Sequence, residues 1–361
     1  MLSLPTIKFL IEKKAKLIIL THLGRPKGQP DPDLTLAPLQ KILSQALNLP
    51  ISFCKSTVGE QALNAVNQLM PGQILLLENT RFNLGETDPQ NHPHFTKQLQ
   101  QLGDIFVNDA FASAHRSHAS VTEIAKLMPS VMGFLMEKEI KALSSILSDI
   151  TPPFYAIIGG AKIASKISVL SALLHKIHAL FIGGGMAFTF LRALGYSIGD
   201  SIFDEKSLEK AKEIIQECKQ KSIKLFLPID AVITSSLEDL STFKFIDLQE
   251  GIKPPFKGVD IGPKTSTYWQ QQLDKASTIF WNGPLGIFET PGAAHGTLNL
   301  ALYLSTSKAK TLIGGGDSIA AIKTSGIDSK KFDHLSTGGG ATLEYIEFET
   351  LPGIDALDNR E

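Results

Sequence analysis

Cysteine is scarce in this chain: Cys54 and Cys218 are the only two among 361 residues, with no CxxC and no Cys/His spacing of a zinc site. A disulfide scaffold, a structural zinc module and a dithiol redox enzyme therefore lose their signal, and two buried thiols are expected instead. Long apolar runs are missing as well. No stretch is long enough to span a bilayer, and Met1-Leu2-Ser3-Leu4-Pro5 carries no basic region ahead of an apolar one. Nor is there an excess of charge of one sign. With a formal net charge of -1, the chain has no general pull toward nucleic acid or an anionic membrane, so any anion site must be local. No nucleic-acid partner and no membrane are expected, and a reducing cytoplasm is the expected location.

What is present is globular: 43% hydrophobic and 20% charged residues. The length exceeds what one hydrophobic core usually fills, which points to two domains. Short apolar or β-branched runs read as buried strands at Lys16-Leu20, Ile74-Leu77, Ile105-Asn108, Phe154-Ile158, Ala179-Ile182, Lys224-Leu227, Thr278-Trp281 and Thr311-Ile313. Between them, Glu60-Leu69, Phe95-Leu102, Lys166-His175, Ser207-Lys219, Thr265-Leu273 and Leu298-Leu304 have helical spacing. This alternation predicts an α/β fold of two doubly wound parallel-sheet domains. Val131 to Leu147 reads as one long amphipathic helix, broken by Thr151-Pro152-Pro153. The expected organisation is a first domain over 1–130, an interdomain helix over 131–150 and a second domain over 151–335.

Four glycine clusters recur in the second half: Gly159-Gly160-Ala161-Lys162, Gly183-Gly184-Gly185, Gly314-Gly315-Gly316-Asp317 and Gly338-Gly339-Gly340. Each precedes a helical pattern, and three follow clear strands. At the ends of parallel strands, free amides and helix dipoles favour phosphate, and glycine lets the backbone approach it. A single Gly-Gly turn is ordinary turn chemistry; four in one chain favour a ligand crevice. None fits GxxxxGK[ST] or GxGxxG, so a P-loop NTPase and a Rossmann dehydrogenase both lose their specific signature. Lys162 and Lys166 sit at a helix start, where a cation opposes the macrodipole; either both face solvent or an anion binds there. Asp317 is either a helix cap or a carboxylate associated with Mg2+.

The first half is basic where its strands end. His22 and Arg25 follow Lys16-Leu20, Arg81 follows Ile74-Leu77, and His115, Arg116 and His118 follow Ile105-Asn108. Neighbouring parallel strands would gather these groups in one crevice, suited to a small acid bearing phosphate and carboxylate. Taken singly, each arginine reads better as a solvated loop cation; taken as a set, they read better as a site. A basic site and a glycine-rich site on two domains suggest phosphoryl transfer between a nucleotide and a small acid, which depends on alignment and charge neutralisation.

THLGRPKG, LLENTRF, NDAFASAHRSHAS, IIGGAKIASKI, FIGGGMAFTFL, LPIDAV, DIGPKT, WNGPLGIFE, IGGGDSIAAI, STGGGA and LPGIDAL, in that order, closely resemble the signatures of the phosphoglycerate kinase family. The resemblance implies a monomeric two-domain hinge enzyme that makes ATP from 1,3-bisphosphoglycerate and MgADP, reversibly, with 3-phosphoglycerate as the acid product. It implies that His22, Arg25, Arg81 and Arg116 hold the acid and that Lys162 bridges the nucleotide phosphates, with Lys166 beside it and Asp317 near Mg2+. By the same resemblance, Gly160, Ala161, Gly184, Gly185, Gly258, Val259, Asn282, Pro284, Glu289 and Ser318 line the ATP/ADP pocket. Gly315, Gly316, Gly339 and Gly340 lie at helix starts that stabilise the transferring group, with Arg116 completing that clamp and residues 336–361 returning to the first domain.

One departure is expected. Family members open with a strand bearing an RVDFN-like motif, which has no counterpart ahead of Leu4-Pro5-Thr6-Ile7. The expectation is therefore a member lacking its N-terminal strand, with Met1 a misassigned or alternative start and the first domain damaged. Two alternatives follow: an impaired remnant that binds nucleotide through its second domain, and an NAD-dependent dehydrogenase, which the absent GxGxxG disfavours.

Overall fold

The computed structural model describes residues 2–148, 151–161, 163, 164 and 166–358. The chain divides into two compact units, Met1–Lys141 with Thr350–Glu361, and Ala142–Glu349.

In the first unit, strands β1 (Leu17–Ile19), β2 (Ile51–Cys54) and β3 (Ile74–Leu77) form a parallel sheet in the order β1-β3-β2. β3, four consecutive apolar residues, is buried on both faces, as a central parallel strand should be. One face covers Cys54, Leu75, Leu77, Phe95 and Leu99. The other covers Leu36, Leu47, Ile51, Ile74 and Leu76, with Leu4, Ile7 and Ile11 of the opening helix and Leu17 and Ile19 of β1 packed on it. The expected damage to this domain is corrected here: β1 is paired to β3, and the opening helix closes a packed core. Strands β4 (Phe106–Asn108) and β5 (Ser130–Met132) form a separate parallel pair. The C-terminal residues belong to this unit, where Gly353 donates its N–H to Ala114 O at 2.7 Å and Asn108 Nδ2 donates to Gly353 O at 3.2 Å.

The long helix begins at Phe134 rather than Val131, because Val131 and Met132 pair with Val107 and Asn108 in β5. Gly133 then makes the turn, with Asp109 packed so tightly on it that a Cβ there would lie 2.3 Å from Oδ1. The same Oδ1 accepts the N–H of Leu135 at 2.8 Å. The helix runs to Ser148, and positions 149–150 of the expected connector lie outside the described residues.

The second unit contains β6 (Phe154–Ile158), β7 (Ala179–Ile182), β8 (Lys224–Phe226), β9 (Asp230–Thr234), β10 (Lys244–Asp247), β11 (Lys257–Ile261), β12 (Thr278–Asn282), β13 (Lys310–Gly314) and β14 (His334–Ser336). Six of these form a parallel sheet in the order β14-β13-β12-β6-β7-β8. Chain order reverses between β6 and β12, the arrangement whose strand ends open a ligand crevice. The register brings Ser336, Gly314, Asn282, Ile158 and Ile182 level across five strands. A second, antiparallel sheet, β10-β9-β11, was not expected from the sequence. The two doubly wound parallel sheets are those of the expected α/β class.

The second core centres on Phe181, Trp269 and Trp281. Phe181 stacks on Phe226 at 4.5 Å and meets Trp269 edge-on at 5.3 Å. Both cysteines are free and buried. Phe181→Ala should lower unfolding free energy by about 3–5 kcal/mol through lost burial and a residual cavity. Phe245→Ala, at a side chain 68% exposed, should stay within about 0.5 kcal/mol. Denaturant titration of both variants checks this; similar losses would contradict the assigned core.

Candidate active site

In the first unit, the turn after β3 is built by Asn79. Its side-chain oxygen accepts the N–H of Arg81 at 3.1 Å, while Nδ2 donates to Leu23 O at 2.8 Å and Leu34 O at 2.9 Å. Thr80 N–H also reaches Thr21 O at 3.2 Å. One buried amide thus fixes the Arg81 turn to the loop carrying His22 and Arg25. Arg81 is only 7% exposed; Nη1 donates to Gly24 O at 2.8 Å, whereas Nε and Nη2 are buried without a partner. Burial foremost, then Arg116, pulls its pKa below the ordinary guanidinium value. Burial foremost, then Arg81, holds His22 down to about 4, so its imidazole is neutral near pH 7. His115 is lowered by burial and by Arg116, and its Nδ1 is buried and unpartnered.

Arg81 is buried and His22, His115, Arg116 and His118 are half-buried within electrostatic reach of one another, while Arg25, which also acts on Arg81, is exposed. Glu86, on the helix Leu84–Thr87, faces them: it is 1% exposed, accepts Ser120 Oγ at 2.7 Å and Ser120 N at 3.2 Å, and lies 3.6 Å from His118 Nδ1. Sequence reasoning missed Asn79 and Glu86. The first was legible as an Asx turn after a strand; the second reads locally as a solvated first-turn carboxylate.

In the second unit, the glycine clusters occupy the level strand ends. Gly160 N–H donates to Pro284 O at 2.8 Å, Gly184 N–H to Leu285 O at 3.1 Å and Met186 N–H to Gly160 O at 2.9 Å. This braids the loops after β6, β7 and β12. Gly184 has φ +65, and a Cβ there would meet Gly160 N at 2.6 Å, so the close approach requires glycine. Gly185 lies against Ala161. Gly258 and Val259 of β11 join through Phe188, whose ring fills the space where a Gly258 Cβ would stand, and through Ile287 N–H donating to Val259 O at 3.0 Å.

Lys166 Nζ donates to Gly159 O at 2.6 Å and Asn282 Oδ1 at 2.8 Å, leaving Asn282 Nδ2 buried, unpartnered and beside Gly315. Ser318 Oγ is buried and accepts Gly283 N–H at 2.7 Å. Gly315 precedes the helix Gly316–Thr324, and Gly339 precedes the helix Gly340–Phe348; nothing lies within 4 Å of where a Cβ on Gly316 or Gly339 would stand. Asp317 is exposed in the first turn, and Gly315, not Asp317, occupies the cap position. Glu289 is exposed. Lys162 lies outside the described residues.

Among the described residues, no group of three or more His, Cys, Asp or Glu could hold a metal alone, and no helix is long and apolar enough to cross a membrane. One basic cluster and one array of glycine loops and helix starts are arrangements that suit phosphate, as a phosphotransferase requires. The sequence model of the phosphoglycerate kinase family matches residues 1–349. The phosphoglycerate kinase of Clostridium kluyveri is 45% identical over 361 residues, 99% of this chain and 90% of its own length. That of Thermosipho africanus is 45% identical over 362 residues, covering 99% and 89%. The solved phosphoglycerate kinase of Coxiella burnetii matches with a TM-score of 0.85 and 36% identity over 98% of this chain and 89% of that one. That of Pyrococcus horikoshii matches at 0.86 and 32%, over 99% and 89%. The chain belongs to the phosphoglycerate kinase family, and is a kinase of glycolysis.

These alignments overturn the expectation of a member lacking its N-terminal strand. They run over 98–99% of this chain. The impaired remnant and the dehydrogenase fall with it.

Burial lowers the Lys166 pKa from its ordinary 10.5 to about 8, with Asp317 opposing. Between those values the unfolded chain holds the extra proton, so this residue's contribution to stability rises with pH through that window and is lost as pH falls toward 8. Lys166→Met should flatten this slope in denaturant titrations between about pH 8 and 10.5. An unchanged slope would contradict the buried ammonium.

Proposed function

We propose that the first unit holds 3-phosphoglycerate or 1,3-bisphosphoglycerate through His22, Arg25, Arg81 and Arg116, and that the second holds ADP or ATP with Mg2+. The observation that carries this reading is the free edge of Arg81. Nε and Nη2 are buried without a partner, in a cluster whose cations repel one another. Such an edge suits a bidentate carboxylate or phosphate. The neutral imidazole of His22 can donate to the same anion and gains a proton more readily once a negative charge lies beside it.

On the nucleotide side, the loops of Gly160, Ala161, Gly184, Gly185, Gly258, Val259, Pro284 and Glu289 line the pocket in this reading. Lys166 and Asn282 then face the phosphates, and Lys162 bridges them. Gly315, Gly316 and Ser318, with Gly339 and Gly340, offer backbone amides and two helix dipoles to the transferring group. Asp317 suits Mg2+, because that ion commonly takes one or two carboxylates together with substrate phosphates and waters. When bound, Mg2+ neutralises phosphate charge.

In ATP formation, an oxygen of the ADP β-phosphate attacks the phosphorus of the acyl phosphate, and the bond from phosphorus to the carboxyl oxygen breaks. The carboxylate of 3-phosphoglycerate leaves. No proton is transferred, so no general base is needed; Arg116, Lys162 and the helix starts at Gly316 and Gly339 stabilise charge on the moving group. In this reading the helix Phe134–Ser148 is the interdomain connector of a hinge enzyme, the chain returns to the first domain from Thr350 rather than from Ser336 because residues up to Glu349 belong to the second unit, and the protein works as a cytoplasmic monomer.

Arg81→Met should raise the KM for 3-phosphoglycerate on the order of a hundredfold, from the loss of charge-assisted hydrogen bonds, with the KM for MgATP unchanged. Arg81→Lys should recover little of it, because the planar fork is gone. Steady-state kinetics with each substrate varied decide the matter; equal losses toward both substrates would contradict the assignment.

A further inference from the structure

Arg81 and Arg116 lie on different loops, and each lowers the proton affinity of its basic neighbours. Glu86 acts in the opposite sense on both His22 and Arg81, and it is almost wholly buried. It sits one turn beyond Arg81, yet its two carboxylate oxygens bond across the chain to Ser120: Oε1 accepts Oγ at 2.7 Å and Oε2 accepts the backbone N–H at 3.2 Å. Ser120 lies in the helical turn Ala119–Glu123, which directly follows Arg116 and His118. His118 Nδ1 is 3.6 Å from the same Oε1. A buried carboxylate is costly unless hydrogen-bonded and placed against positive charge, and Glu86 has both conditions met.

We propose that Glu86 is a positioning residue of the acid site: through Ser120 it ties the Arg81 turn to the Arg116 loop, and its charge holds the mutually repelling cations together before the substrate arrives. The inference rests on the reading of this crevice as the acid site. Glu86 touches no reacting atom; it sets where the arginine forks stand and how the crevice is charged.

The test uses the full chain. Glu86→Gln keeps the shape and removes the charge. Its KM for 3-phosphoglycerate should rise about tenfold, as for loss of a charged hydrogen-bond partner, with the KM for MgATP unchanged. The His22 ring signal, followed by NMR, should titrate at lower pH than in the wild type, because the attractive charge is gone. Glu86→Asp should restore that titration at least in part. A purely structural role would lower thermal stability without moving the His22 titration, and that result would overturn the proposal. If 3-phosphoglycerate shifts the wild-type His22 and His118 signals but Glu86→Gln leaves both KM and titration unchanged, the acid-site reading survives and this proposal fails. If 3-phosphoglycerate leaves the wild-type signals unmoved, the reading fails and takes the proposal with it. Should Glu86→Gln not fold, Ser120→Ala answers instead: it removes one bond to the carboxylate, a roughly threefold rise in KM for 3-phosphoglycerate supports the tie, and no change overturns it.

Discussion

The pairing of β6 with β12 is the contact on which the nucleotide unit depends. These strands are distant in sequence, run parallel, and end level at Ile158 and Asn282. Because chain order reverses at this pair, the helices that follow lie on opposite faces, and the strand ends open rather than being covered. The loops beyond them are then forced into contact. Gly159 N–H bonds to Asn282 O, Gly160 N–H to Pro284 O, and Lys166 closes the gap by donating to both sides. Side chains at Gly159, Gly184 or Gly283 would collide with this backbone. The glycines are a consequence of the pairing, because only a residue without a Cβ lets these loops bond amide to carbonyl across the gap.

The first unit meets the same anion problem by charge. Helix starts supply partial charges, whereas Arg81 and Arg116 supply whole ones, and whole charges packed below the surface are costly. The fold offsets the cost in two ways. Asn79 and Gly24 O fix the Arg81 turn by hydrogen bonds that leave its other guanidinium edge free, and Glu86 brings an opposite charge from the next turn. His22 avoids the problem by remaining neutral. A cluster built this way is short of negative charge until its ligand binds.

Much of this was legible before any coordinates. The strands that end at Leu77, Asn108, Ile158, Ile182 and Gly314 follow from short apolar runs, and glycine clusters stand at the ends of the last three. What escaped had weaker local signals. β2 mixes buried, half-buried and exposed residues over four positions; in the antiparallel sheet β9 is wholly buried around the short run Ala231-Val232-Ile233, but β10 is exposed or half-buried and has no such pattern. Val131 and Met132 suit a helix by pattern, but hydrogen bonds to β4 keep them extended. Glu86 looks like a surface residue because its partners lie beyond residue 115, and no local pattern reports them. The integrity of the first domain is equally hidden in the sequence, because the packing of Leu4, Ile7 and Ile11 on the sheet joins residues far apart along the chain.

With one ligand proposed for each unit and no protein nucleophile required, the proposed function is direct transfer between two ligands bound together. The most direct test is initial-rate measurement of ATP formation from 1,3-bisphosphoglycerate and MgADP, with both concentrations varied. The account predicts reciprocal plots that intersect, as for transfer within a ternary complex. Parallel plots, with a phosphorylated protein trapped in the absence of ADP, would contradict it.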